Sequence, residues 1–190
     1  MRESFILVII GHSLLYKFGR NPMRITPTNE ETKLESNDFI VSKTDDKGKI
    51  TYCNEIFMSI AGYKEEELIG QNHNIIRHPH MPKIAFKLAW ELIQHGKEFF
   101  GFVKNMKKDG GFYWVFANIT PDYDEHQHII GYTSVRRKPN ENAIETIIPI
   151  YEKLLVLENT SGIKTSEAFL TDFLSQNKTS YDELIIKLQG

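Results

Sequence analysis

Three of the seven histidines, His73, His78 and His80, fall within one eight-residue stretch, HNIIRHPH. Histidine titrates near neutral pH, ligates metals and hydrogen-bonds in either sense, so such a cluster is the first place to look for chemistry. The spacing is not the two-plus-two pattern of a zinc site, and the single cysteine, Cys53, is not near it in sequence. The chain has no Ser-His-Asp arrangement, no glycine-rich phosphate loop and no CxxC pair. The expectation is a protein that is not an enzyme, with no catalytic residues and no metal ligands. A lone cysteine also excludes an internal disulfide framework, which makes a reducing compartment the default.

Charge is distributed unevenly around the histidines. Residues 72–114 hold seven Lys/Arg against three Asp/Glu, a local +4, whereas residues 28–71 hold five against ten, a local −5. The formal net charge is −2, so there is no global basic field and no basic helix for nucleic acid. The chain is 190 residues long, with 41% hydrophobic and 12% aromatic residues. These are soluble values that suit one domain with appendages.

The elements that must position the histidine stretch can be read from periodicity. FIVSKTD (39–45) and ITYCN (50–54) are strand-like and joined by a turn at Gly48, which makes a hairpin. Asn54 then stands at the N-cap of EIFMSIAGY. There Ile56 and Ile60, and Phe57 and Ala61, are spaced four apart, and Gly62 ends the helix. KEEELIG is a helical turn closed by Gly70. Pro79 and Pro82 break HNIIRHPHMP into a short turn and a kinked loop, and Pro82 opens the helix KIAFKLAWELIQHG. Strands are expected over 98–108, 111–123 and 128–138.

After Pro139 the period becomes helical. NAIETIIPIYEKLLVLE (142–158) is a helix with a kink at Pro149, NTSGIKTS is a linker, and 166–176 and 179–189 are short amphipathic helices. Leu154, Leu155 and Leu157, with Phe169, Leu170, Phe173 and Leu174, give this tail apolar faces that pack on the domain or on a partner. The order predicts an α+β architecture, a five-stranded antiparallel sheet with helices on one face and a ligand cavity between them. Residues 1–37 read as a leader, 38–139 as the domain and 140–190 as a helical tail. The run FILVIIGHSLLY, starting at Phe5, is about half of the ~20 residues a membrane span needs. Met23 offers a second start, so residues 1–22 are expected to be an over-extended beginning, with a membrane-touching helix or a buried strand as the alternatives.

That order resembles a PAS domain. NEIFMSIAGYKEEELIG (54–70) is similar to the first helices of that family. HNIIRHPHMPKIAFKLAW (73–90), GFVKNMKKDGGFYWVFANITP (101–121) and GYTSVRRKP (131–139) resemble one subgroup, the PAS domain of bacterial aerotaxis receptors. The resemblance covers about 100 residues, Phe39 to Pro139. It implies bound FAD, a role in reporting redox or energy state, and a cytoplasmic location. It also implies a membrane-bound chemoreceptor-like partner, because stand-alone PAS proteins of this kind work beside one. A homodimer through 142–158 is a further expectation.

The resemblance places the cofactor-binding residues at Arg77, His78, His80, Trp90, Phe99, Asn105 and Asn54. A guanidinium grips phosphate bidentately, which suits Arg77 to the pyrophosphate. His78 at the kink is a hydrogen-bonding candidate, and Trp90 and Phe99 are candidate ring walls. Asn105 or Asn118 would present an amide to the pyrimidine edge. Asn54 is equally well explained as an N-cap. His80 stands where the aerotaxis receptors carry Asp, which removes a fixed negative charge. Phe99 replaces their Trp and loses an indole N–H. Two other readings stay open. Haem would use one of His73, His78 and His80 as axial ligand, and a cofactor-free PAS interaction module would bind neither group.

Overall fold

The computed structural model describes residues 25–190. The apolar run beginning at Phe5 and the alternative start at Met23 lie outside the described residues. Five strands, β1 (Ile40–Asp45), β2 (Ile50–Cys53), β3 (Phe99–Met106), β4 (Phe112–Tyr123) and β5 (Ile129–Arg137), form one antiparallel sheet in the order β2-β1-β5-β4-β3. Between β2 and β3 come α1 (Glu55–Ala61), α2 (Glu65–Leu68), a 3₁₀ turn (His73–Ile76) and α3 (Lys83–Gln94). The tail is α4 (Glu141–Ser161), α5 (Ile163–Gln176) and α6 (Tyr181–Gln189). The predicted α+β PAS architecture is what the chain adopts.

Local signals explain the short helices. Asn54 caps α1 as its sequence position predicts: its Oδ1 accepts from the Phe57 amide at 3.1 Å and from Val41 on β1 at 3.0 Å. Its Nδ2 donates to the Phe39 carbonyl at 2.7 Å, so one side chain ties the helix start to the first strand. Gly62 ends α1 in the left-handed region with φ 75°. Phe57 and Ala61 are buried with Ile40, Ile50, Tyr113 and Val115, which makes the core between these helices and the sheet.

The segment before β1 is held against the domain. Glu31 pairs with Phe112 in a parallel bridge, Thr32 donates to the Phe112 carbonyl at 2.8 Å, and Leu34 is buried in the same core as Phe57.

The tail departs from the sequence reading in one place. NTSGIKTS is not a linker: α4 runs to Ser161, Gly162 alone interrupts, and α5 begins at Ile163. The threonines there turn their hydroxyls back onto the helix, Thr160 Oγ1 to the Val156 carbonyl at 2.9 Å and Thr165 Oγ1 to the Ser161 carbonyl at 3.2 Å, and the helices persist because Leu154 and Leu170 are buried against the domain. Pro149 lies inside α4, as the sequence places it.

The tail packs back on the domain. Leu154 and Leu170 are buried in a cluster with Ile84, Phe99 and Phe102, while Val156 and Ile186 stay exposed. Tyr151 Oη donates to the Phe102 carbonyl of β3 at 3.0 Å, and Tyr181 stacks on Phe99 with centroids 5.8 Å apart.

One polar contact fixes the tail to α3. Pro82 occupies the α3 N-cap and has no side-chain acceptor to offer. Glu158 of α4 supplies it from outside: Oε2 accepts from Lys83 N and Oε1 from Ile84 N, both at 2.8 Å. A carboxylate on a helix N-terminus is favourable through both hydrogen bonds and the helix dipole. Glu158→Ala should destabilise the chain by about 1–3 kcal/mol and speed proteolysis in α4 and α5. Thermal melting with limited proteolysis checks this, and an unchanged melting temperature removes the carboxylate from any role in docking the tail.

Candidate functional site

The sheet and α3 enclose a cavity of about 360 Å³. That is at the small end of the range of roughly 300–1,000 Å³ typical of small-molecule sites. Its walls are largely apolar: Met81, Ala85, Ala89, Trp90 and Ile93 from α3 and its approach, and Phe99, Val103, Ala117 and Ile119 from the sheet. Trp90 meets Tyr132 of β5 edge to face, with centroids 5.4 Å apart.

The polar end of the cavity is built on β5. Register pairs Ser42 with Ser134 and Ile40 with Arg136, so Tyr132, Ser134 and Arg136 face inward and Val135 and Arg137 face outward. This inverts the hydropathy of the strand: Arg136 is 2% exposed and Val135 is 37% exposed. One Arg136 amino group donates to Ser42 Oγ. Nε and Nη1 have no partner in the protein, and among the described residues no carboxylate forms an ion pair with it. Its guanidinium lies 4.6 Å from the centroid of Phe57. Burial pushes its pKa down to about 10, so it remains a cation at neutral pH.

Three further groups converge there. His73 Nε2 is 3.0 Å from Ser42 Oγ, and its ring stacks on Phe57 at 5.8 Å. Burial and the Arg136 charge push its pKa down to about 3, so the imidazole is neutral. Asn105 is buried with Nδ2 unpartnered, and the buried Tyr113 hydroxyl also has no hydrogen-bond partner. Burial raises the tyrosine pKa, which keeps the phenol neutral.

Of the seven predicted residues, Arg77, Trp90, Phe99 and Asn105 line this cavity. Arg77 places its guanidinium 4.0 Å from the centroid of Phe86, and its backbone bridges to Asn105 on the β3 edge. His78, His80 and Asn54 do not line it. His78 is buried against Phe112, with Nδ1 accepting from the His80 amide at 3.1 Å and Nε2 unpartnered. His80 is exposed, its ring edge-on to His78 at 4.8 Å. Asn54 is engaged by the three bonds described above, and Asn118 faces away and donates to Glu98 at 3.0 Å. Sequence reasoning missed Arg136 and Ser134 as cavity residues and named His73 only as a candidate haem ligand. The available signal was TSVRR, where period-two alternation puts one arginine on each face of the sheet.

Residues 50–136 match the family described as PAS fold. The chain is similar to the aerotaxis receptor of Escherichia coli, 39% identical over 127 residues, 67% of this chain and 25% of the receptor. It is also similar to a nitrogen fixation regulatory protein of Klebsiella pneumoniae, 27% identical over 106 residues, 56% of this chain and 21% of that protein. The chain therefore matches a quarter or less of these relatives' length. A solved light-oxygen-voltage domain, studied with a flavin analogue, shares the fold with TM-score 0.52 and 22% identity, covering 60% of this chain and 86% of that one. Among the described residues no helix is long and apolar enough to cross a membrane.

The neutral His73 has a consequence for stability. Its folded-state pKa is depressed, so between about pH 6.5 and about pH 3 the unfolded chain binds a proton that the folded chain refuses. Stability should be independent of this group above that window and fall as pH drops through it. Urea midpoints against pH check this. A His73→Gln variant should lose less stability over the same acid range than the unaltered chain, and parallel curves would remove His73 as a source of the pH dependence.

Proposed function

We propose that this domain is a non-catalytic sensor that binds FAD and reports redox or energy state to a membrane-bound chemoreceptor-like partner, working in the cytoplasm. The observation that carries this reading is an apolar slot that ends in unpartnered buried donors, Arg136 Nε and Nη1 and Asn105 Nδ2. A buried polar group without a partner costs about 1–3 kcal/mol, which a ligand edge rich in acceptors would relieve. The pyrimidine side of an isoalloxazine ring is such an edge, and the apolar walls suit its remaining faces. At about 360 Å³ the cavity suits the ring system rather than a whole dinucleotide, so the pyrophosphate would lie toward Arg77 at the wall. Similarity to an aerotaxis receptor supports the partner class.

Haem is less well supported. His78 and His80 do not line the cavity, and His73, which does, engages Ser42 through Nε2.

The signal would leave through two contacts of the site. β5, which carries Arg136, leads directly into α4. Arg77 and Met81 precede α3, whose N-terminus holds Glu158 of the same tail. A ligand shifts such an arrangement only by its differential interaction with two states.

An absorption spectrum of the purified chain, before and after incubation with FAD, tests the cofactor. A flavin spectrum is expected. A Soret band would transfer the reading to haem, and a chain colourless after incubation would make this a cofactor-free interaction module. Arg77→Ala should weaken FAD retention by about tenfold or more, the loss of one charge-assisted contact of ~1.5–3 kcal/mol. Unchanged retention removes Arg77 from the pyrophosphate site.

A further inference from the structure

Arg136 is an uncommon feature for a domain interior. It is a permanent cation 2% exposed, and its partner through the guanidinium is a neutral hydroxyl, Ser42 Oγ. A buried charge is ordinarily paired, because leaving it alone costs several kcal/mol. The groups around it come from several elements: Ser42 of β1, Cys53 of β2, Phe57 of α1, His73 of the 3₁₀ turn and Tyr113 of β4. Three of these can titrate, and none is negative near neutral pH. Burial raises Cys53 and Tyr113, and His73 is neutral because its pKa is held down to about 3. Two guanidinium nitrogens therefore have neither a counter-charge nor an acceptor.

We propose that Arg136 is the residue that selects a negatively charged ligand edge in this cavity and, resting on the FAD reading above, holds the reduced flavin ring as its anion. The balance is explicit. Two electrons from an external donor and two protons from water give a neutral reduced ring. Two electrons and one proton, taken at N5, leave N1 deprotonated and the pyrimidine edge negative. A fixed cation at that edge favours the second stoichiometry and raises the potential at which it forms.

Arg137, its sequence neighbour, cannot do this from the other side of the sheet, where its guanidinium lies 5.1 Å from the Phe116 centroid. Arg77 cannot substitute either, since it sits at the α3 wall over Phe86. The assignment concerns Arg136 alone.

The test is a spectroelectrochemical titration of the full chain reconstituted with FAD, using mediator dyes as the electron donor, at several pH values below neutrality. Because His73, Cys53 and Tyr113 do not titrate there, the pH slope counts the protons taken up by the flavin. For a two-electron couple a tenfold change in equilibrium is about 30 mV. One proton therefore gives about 30 mV per pH unit, and two protons about 59 mV per pH unit.

The expected result is the one-proton slope for the unaltered chain and for Arg136→Lys. Arg136→Gln should approach the two-proton slope, with a midpoint lower by about 30 mV or more, a tenfold shift. A two-proton slope in the unaltered chain overturns the proposal, as does an Arg136→Gln chain that matches the unaltered one. Should Arg136→Gln fail to fold or to retain flavin, the slope of the unaltered chain alone decides. A chain that takes up no FAD overturns both this inference and the functional reading, whereas flavin binding with the wrong slope overturns this inference alone.

Discussion

The cavity depends on one constraint, the burial of Arg136 on a strand whose hydropathy would put it outside. Strand alternation allows β5 two orientations relative to the core. Turning Val135 inward would bury an apolar side chain and release Arg136 to water, but would bring Arg137 inward in its place. The chain adopts the opposite orientation because β1 and β4 fix the register on both flanks, and a one-residue slip of β5 would exchange its two faces. Tyr132, Ser134 and Ser42 then face the cavity side together with the arginine. The cost of the cation is spread over a hydroxyl and the face of Phe57 and is not fully offset by either. Local rules broken in a register this tightly fixed mark a place where the fold serves something other than its own stability.

A second constraint follows from the first in chain order. β5 ends at Arg137, and Asn140 caps α4 three residues on, its Oδ1 accepting from Asn142 N at 2.9 Å. The tail therefore starts where the polar strand stops. It returns to the cavity twice, through Tyr151 against β3 and through Glu158 against the start of α3. The α3 N-terminus needs this return, because Pro82 in the cap position cannot satisfy the first free amides. Lys87 Nζ adds an exposed pair to Glu167 of α5 at 2.6 Å. Such pairs contribute about 0–1 kcal/mol, so the buried apolar faces and the Glu158 cap hold the tail, and this pair does not.

Much of this was legible from the residues. The Asn54 cap, the Gly62 stop, the broken HNIIRHPHMP segment and the three long strands each have a local cause that does not depend on the rest of the chain. Arg77, Trp90, Phe99 and Asn105, which line the cavity, were readable as a group through the resemblance. The continuous α4–α5 pair was not, because Thr160 and Thr165 are weak helix formers, and the helices on either side of Gly162 are held by tertiary burial of Leu154 and Leu170. Arg136 was not legible for a different reason. TSVRR states that one arginine faces each way, but which one goes inside is set by pairing with β1 and β4, contacts that bring together residues more than 90 positions apart (Ser42 and Arg136).

The histidines that first drew attention end in three different environments, and the differences are physical. His73 is the one that reaches the cavity, and it is neutral because the Arg136 charge and burial act in the same direction on it. His78 is also neutral, its pKa pushed down to about 4 by burial and then by Lys104 and His80, but it faces Phe112 behind the loop. It holds the kink through the His80 amide. His80 is exposed and meets His78 at its ring edge. Proximity in sequence therefore gave a cluster of one residue type without giving a common site. His73 precedes both prolines and lines the cavity, whereas His78 and His80, whose rings meet edge-on at 4.8 Å, flank Pro79 outside it. The polar work in the cavity falls instead to a residue nearly sixty positions later (Arg136), on a strand that approaches from the opposite wall.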